Sequence, residues 1–274
     1  MLLFLQCIIY FYISVLILRA VMTNQELYFN PLGKIVARAT EPVFKNLLRN
    51  DQKTKENYET PVIIGFLTFL LGLFYWLVNG DNFVLSILVA LSSIVVYLYF
   101  FYLISMFLGC FINTGSATFI TTFFYRLGLF WVKIARKIIN IKGNGIIFVA
   151  AILLTLFYLV AETLINTLML YFIKDSPLIS EAFFSSVNLI VYVLLYLLKI
   201  LIWLIIIRVL LSWVSPDPRN VFVQILSSIT DPMMLPFRRI IPPIGFIDIS
   251  PIILIIIIEF IRMFFLRLLQ SSQF

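Results

Sequence analysis

Four charged side chains stand inside stretches that are otherwise apolar: Glu162, Lys199, Glu259 and Arg262. A charge in hydrocarbon is costly, so each is a functional candidate by default. Acidic groups facing one cavity would carry a proton or a cation, whereas a carboxylate beside a cation on a neighbouring helix would hold two helices together. Lys199 and Glu259 lie about 18 Å and about 14 Å in from the ends of their apolar runs, at 1.5 Å per residue. The spacing predicts that they pair, with Arg262 one turn from Glu259 as a second partner or a snorkelling group.

A second candidate is Arg238 and Arg239, in Leu-Pro-Phe-Arg-Arg-Ile-Ile-Pro-Pro from 235 to 243. Four prolines between 232 and 243 predict a stiff irregular loop rather than a regular helix, and Gly245 allows a further turn. Guanidinium forks pair bidentately with phosphate or carboxylate, so such a loop could dock an anionic lipid head group or an acidic partner loop. The same arginines could equally be a topology signal alone. Asp231 and Asp248 flank the loop as helix caps, and Asp248 is also placed to clamp one arginine.

Other chemistry is poorly provided for. The 274 residues contain no histidine, which removes the usual general base, the commonest metal ligand and the commonest haem ligand. Cys7 and Cys110 sit apart in or at the end of apolar runs and read as small hydrophobes. No phosphate-binding loop and no nucleophile elbow occurs. The expectation is a non-enzyme without metal or cofactor.

These groups need elements to hold them, and the composition says which. Apolar residues make up 62% of the chain and charged residues 12%, more hydrocarbon than a water-soluble domain can cover. Apolar runs at 2 to 22, 61 to 78, 83 to 110, 145 to 173, 183 to 214 and 250 to 268 are each long enough to cross a bilayer core of about 30 Å. The predicted fold is all-α, a polytopic transmembrane bundle of about six spans. Thr60-Pro61 and Ser250-Pro251 read as N-cap and first helical residue of two of them.

The basic residues alternate strictly between the connecting segments. Segments 19 to 60, 113 to 145 and 208 to 249 hold 7, 5 and 4, against 0, 1 and 2 in 79 to 82, 174 to 182 and 262 to 274. The +7 formal charge therefore reads as the positive-inside rule rather than as a nucleic-acid surface, with both termini on the opposite face. Between 116 and 142, Phe123, Leu127, Trp131, Ile134 and Ile138 recur at helical spacing, with Arg126, Lys133 and Lys137 on another side. That pattern predicts an interfacial amphipathic helix towards lipid phosphates; the alternative is a seventh span.

A segment near the N-terminus returns 190 residues later: Asn30 with Asn220, Thr40-Glu41-Pro42 with Thr230-Asp231-Pro232, Arg49 with Arg239, Thr60-Pro61 with Ser250-Pro251. One residue of slippage also aligns Leu18-Arg19 with Ile207-Arg208. Each copy reads as span, amphipathic helix, proline-rich turn, span. The helix of the second copy has its stripe at Val221, Phe222, Ile225, Leu226 and Ile229, and that of the first at Leu32, Ile35, Val36 and Ala39. With four spans between equivalent elements, the repeat is parallel.

Arg208-Val-Leu-Leu-Ser-Trp213, the run 228 to 242 and Gly245-Phe-Ile-Asp-Ile-Ser-Pro251 resemble the YggT family of small bacterial and plastid membrane proteins. The resemblance divides the chain into a weakly matching module at 1 to 78, two additional spans at 79 to 182 and a strongly matching module at 183 to 274. It implies a role linked to biogenesis of membrane complexes, which in the plastid branch includes haem attachment to cytochrome b6. The function expected is thus an accessory or assembly factor for a photosynthetic or cytochrome complex, with an ion or solute transporter using Glu162, Lys199 and Glu259 as the rival. Heavy use of Phe, Ile, Asn and Lys without His points to an A+T-rich genome and favours a plastid thylakoid or envelope membrane, with a bacterial cytoplasmic membrane as the alternative.

Overall fold

The computed structural model describes residues 2–29, 31–47, 56–80, 82–111, 119–139, 145–174, 179–214, 220–240 and 248–271. The run 49 to 55, Pro242, Pro243 and Gly245 lie outside these. Among the described residues the chain is helical throughout, without a strand: α1 (Leu2–Val21), α2 (Asn24–Phe29), α3 (Pro31–Leu47), α4 (Glu56–Asn79), α5 (Phe83–Phe111), α6 (Phe119–Ile138), α7 (Gly145–Lys174), α8 (Ile179–Val214), α9 (Val221–Ile240) and α10 (Ser250–Ser271). Helices are what apolar runs must form in lipid, where every backbone donor needs a partner within its own segment.

Five of them, α1, α4, α5, α7 and α8, are long and apolar enough to cross a membrane. The expected sixth run forms α10, whose 22 residues include Glu259, Arg262 and Arg267. Helix α6 is too charged to count among the five, with Arg126, Lys133, Arg136 and Lys137 in 20 residues. Their large side chains face outward in number, among them Phe157, Trp203 and Phe260, because hydrocarbon is the solvent.

Three expectations need correction. The prolines do not end the amphipathic helices: α3 runs through Pro42, and α9 runs through Pro232 and Pro236 to Ile240. Arg238 and Arg239 therefore occupy the last turn of a helix instead of an irregular loop. Pro42 and Pro236 are exposed, so the carbonyls one turn earlier that lose a donor also face outward, where water or head groups can serve them. Thr60 does not start its helix, since α4 begins at Glu56 and Pro61 lies within it. At α10 the cap is Asp248, whose Oδ1 accepts from the Ser250 backbone N–H at 3.0 Å, while the buried Ser250 hydroxyl has no hydrogen-bond partner among the described residues.

The chain forms two compact units. The first comprises Met1–Phe101 and Val160–Ala182, the second Tyr102–Leu159 and Phe183–Phe274. Within the first, α1 packs on α3 and α4, and α2 on α3. Ile13, Leu16 and Leu71 are sealed there at 0% exposure. A Cβ on Gly72 would come within 2.9 Å of the Ile87 Cα, so a glycine lets α4 and α5 approach closely; Gly80, with φ of 71°, then ends α4. Within the second unit, α9 packs on α10. Leu201, Ile202 and Ile205 of α8, Met234 of α9, and Leu254 and Ile258 of α10 form its buried cluster. There too Gly128 of α6 lies against Met106, and Trp131 against Phe157 with ring centroids 5.6 Å apart.

Candidate functional site: a charged chain at the end of α9

Four groups of alternating sign meet where α9 ends. Arg208, near the end of α8, brings its Nε to 3.9 Å from Asp231 Oδ1. Asp231 also lies 3.9 Å from Arg238 Nη1, and Arg238 donates through Nε to Asp248 Oδ2 at 2.8 Å. Asp231 and Arg238 are two helical turns apart on α9, which puts both on the side facing the adjoining segments. Asp248 is held by this bond and by the Ser250 cap. Partial burial pushes its carboxyl up, but the Ser250 bond and the Arg238 guanidinium outweigh it and leave the group below the ordinary aspartate value.

Arg239 differs from its neighbour. Both are exposed, but Arg239 has no ion pair among the described residues. One guanidinium is spent on fixing the end of α9 to the start of α10, and the adjacent one is presented outward.

The first unit holds a counterpart, built on Arg19 and Thr40. Thr40 and Thr230 are both at 0% exposure, and their hydroxyls donate to Val36 O at 2.7 Å and to Leu226 O at 2.8 Å. Arg19 Nη1 donates to Thr40 Oγ1 at 2.5 Å. Val36 and Leu226, 190 residues apart, are both buried, as are Leu16 with Ile205 and Ile13 with Ile202, at the 189-residue spacing that relates Arg19 to Arg208. The first stripe is not fully buried, since Ile35 is 62% exposed and Ala39 is exposed where its counterpart Ile229 is buried.

The charges expected inside the membrane separate into two arrangements. Glu259 is gripped by both Nε and Nη2 of Arg262 on its own helix, the Nε bond being 2.8 Å. Its contact partner is thus Arg262 rather than Lys199, which acts on it only as a more distant charge. Glu162 is 1% exposed and accepts from the Ser92 hydroxyl of α5 at 2.5 Å. Ser92 escaped the sequence reading, as did a seam between α1 and α5. There Gln6 donates to the Tyr10 hydroxyl at 2.7 Å and Tyr10 to Ser93 O at 3.2 Å. The Ser14 and Tyr97 hydroxyls share a hydrogen bond, and Tyr10 stacks on Tyr97 at 4.5 Å. The available signal was polar residues one turn apart within apolar runs, Gln6-Tyr10-Ser14 and Ser93-Tyr97.

The α8–α9–α10 region is also where known proteins match. A family model described as CCB3/YggT covers residues 187–269. That stretch is similar to a CCB3/YggT domain. Over 83 residues the chain is 35% identical to the uncharacterized protein YggT of Escherichia coli, covering 29% of this chain and 44% of that one. An uncharacterized protein of Pseudomonas aeruginosa is 38% identical over 66 residues, 24% of this chain and 34% of its own. One of Vibrio alginolyticus is 43% identical over 61 residues, 22% and 32% respectively. The chain thus spans less than half the length of these relatives. No solved structure matches. All four members of the charged chain, and Arg239, lie within the stretch that matches, 187–269.

Proposed function

We propose that this chain is a non-enzymatic integral membrane protein acting as an accessory or assembly factor, and that it docks a membrane complex through the basic end of α9. The observation that carries the reading is the division of labour between the two arginines. Arg238, held between Asp231 and Asp248, makes the helix end rigid, so Arg239 is offered with little ordering left to do on binding. Lys133, Arg136 and Lys137 of α6 are exposed as well, which favours anionic lipid or an acidic segment beside the same kind of surface. Each intramembrane carboxylate has its own partner, Ser92 for Glu162 and Arg262 for Glu259, which favours docking over a transport path that uses both.

The photosynthetic or cytochrome complex expected from the resemblance is the partner class we favour. The membrane is a plastid one if composition is the guide, and a bacterial cytoplasmic one if the bacterial relatives are. Purification in gentle detergent, followed by mass spectrometry, tests the role. A membrane complex that accompanies the native chain and is lost from Arg239→Glu, while Arg267→Glu retains it, supports docking. Equal recovery with all three chains overturns it, and retention by anionic vesicles alone makes lipid the occupant.

A further inference from the structure

Glu162 is the one charged-type residue among the described residues that is buried to 1% exposure. It lies 12 residues from the end of α7 at Lys174, and its partner Ser92 lies 9 residues from the start of α5 at Phe83, so both sit about 14 to 18 Å along their helices. Its Oε1 accepts from Ser92 Oγ. Its Oε2 is buried with no hydrogen-bond partner.

A lone carboxylate oxygen in hydrocarbon is not a stable end point, because burying an ionised group without a cation costs far more than neutralising it. No charged side chain bears on this carboxyl. Tyr158 stands one turn earlier on α7, and Tyr10, Tyr75 and Tyr97 of α1, α4 and α5 gather about Ser14 and Ser93, the residue next to Ser92. Tyr10 and Tyr97 bond to Ser93 O and Ser14, and Tyr75 faces Ser93. None supplies the missing positive charge. A metal ion would want several oxygens, and no cluster of acidic or thiol groups exists among the described residues.

We propose that Glu162 and Ser92 form a proton-binding site inside the membrane. An O–H bond forms at Oε2 as one in hydronium breaks and leaves water behind; release is the reverse. Ser92 serves both states, since its hydroxyl donates to Oε1 and can also accept. Loading and release would alter the bond that joins α5 to α7, making the packing of these two helices the quantity that proton binding controls.

Infrared spectroscopy of the full-length protein in lipid vesicles, scanned over pH, tests this. A protonated-carboxyl band present at neutral pH, absent from Glu162→Gln and shifted in Ser92→Ala, is the expected result. Glutamine keeps an acceptor for Ser92, so the fold is retained, and circular dichroism verifies it. A hydrophobic carbodiimide gives a second readout, forming its stable adduct only with a protonated carboxyl: Glu162 is expected to be modified, and Glu259, gripped by Arg262, is not. A neutral-pH band that survives in Glu162→Gln, the absence of any such band, or failure of the carbodiimide to modify Glu162 overturns the proposal.

Discussion

Arg19 and Arg208 close the same kind of helix in two regions of the molecule, yet they end on different partners. Arg19 reaches a threonine hydroxyl already bonded within α3, whereas Arg208 joins Asp231, Arg238 and Asp248 in a chain of four charges. The buried positions beneath are alike in both, so packing alone does not require the acids. What the second region adds is a fixed surface with one arginine left over, and that region is where the YggT match lies. The first region joins its helices through Arg19 on Thr40, the Tyr10 and Ser14 contacts with α5, and Glu162 on Ser92. Shared packing with divergent polar chemistry is what two copies would show if one kept a contact role and the other turned to holding its own unit together.

The comparison can be broken at its core first. Leu16→Ala and Ile205→Ala should each destabilise the unit they seal by about 2–5 kcal/mol, read as a loss in denaturant or thermal unfolding of the purified protein. Costs that differ widely between the two would argue against equivalent positions. Next, a Cβ at Gly33 overlaps the Glu26 carbonyl oxygen, so Gly33→Ala should cost about 1–3 kcal/mol. Its counterpart position Val223 already bears a side chain, and Val223→Ala should cost less in the same assay.

The arginines themselves sharpen the contrast. Arg208→Ala leaves Asp231 short of a partner at a partly buried place and should cost about 1–3 kcal/mol, while Arg19→Ala leaves Thr40 bonded to Val36 and should cost about 1 kcal/mol. The smallest effect concerns Asp248. Its folded carboxyl titrates below the ordinary value of about 3.9, so its stabilisation is complete above that value and disappears as pH falls through the lower, folded one. Asp248→Asn should remove that acid-side dependence at a cost of about 0.2–1 kcal/mol, read as stability against pH.

Hydrophobic length made the long helices legible in the sequence, because in lipid an apolar run has no other way to satisfy its backbone. α7 and α5 match their expected bounds within a residue. Proline misled at both amphipathic helices, since the rule that it breaks a helix presumes an interior, and Pro42 and Pro236 lie on outward faces where the freed carbonyls have other partners. Charged residues at the end of α9 could be found from sequence, but which arginine is spent and which is offered could not. That depends on Asp248 folding back across 10 residues. Glu259 was expected to look across to Lys199, and the closer Arg262 on its own helix took it. Ser92 and the Gln6-Tyr10-Ser14 face were overlooked because uncharged polar residues inside apolar runs raise no alarm, although their spacing of one turn marks a helix contact.

Both regions are read as presenting their basic elements to one side of the membrane, and everything proposed about docking depends on it. Single cysteines placed as Arg38→Cys, Arg136→Cys and Arg239→Cys, in a chain carrying Cys7→Ser and Cys110→Ser, can be tested with an impermeant thiol reagent on sealed, oriented vesicles. All three should react from the same face; reaction of Cys at 38 and 239 from opposite faces would contradict the parallel arrangement and the shared basic surface with it.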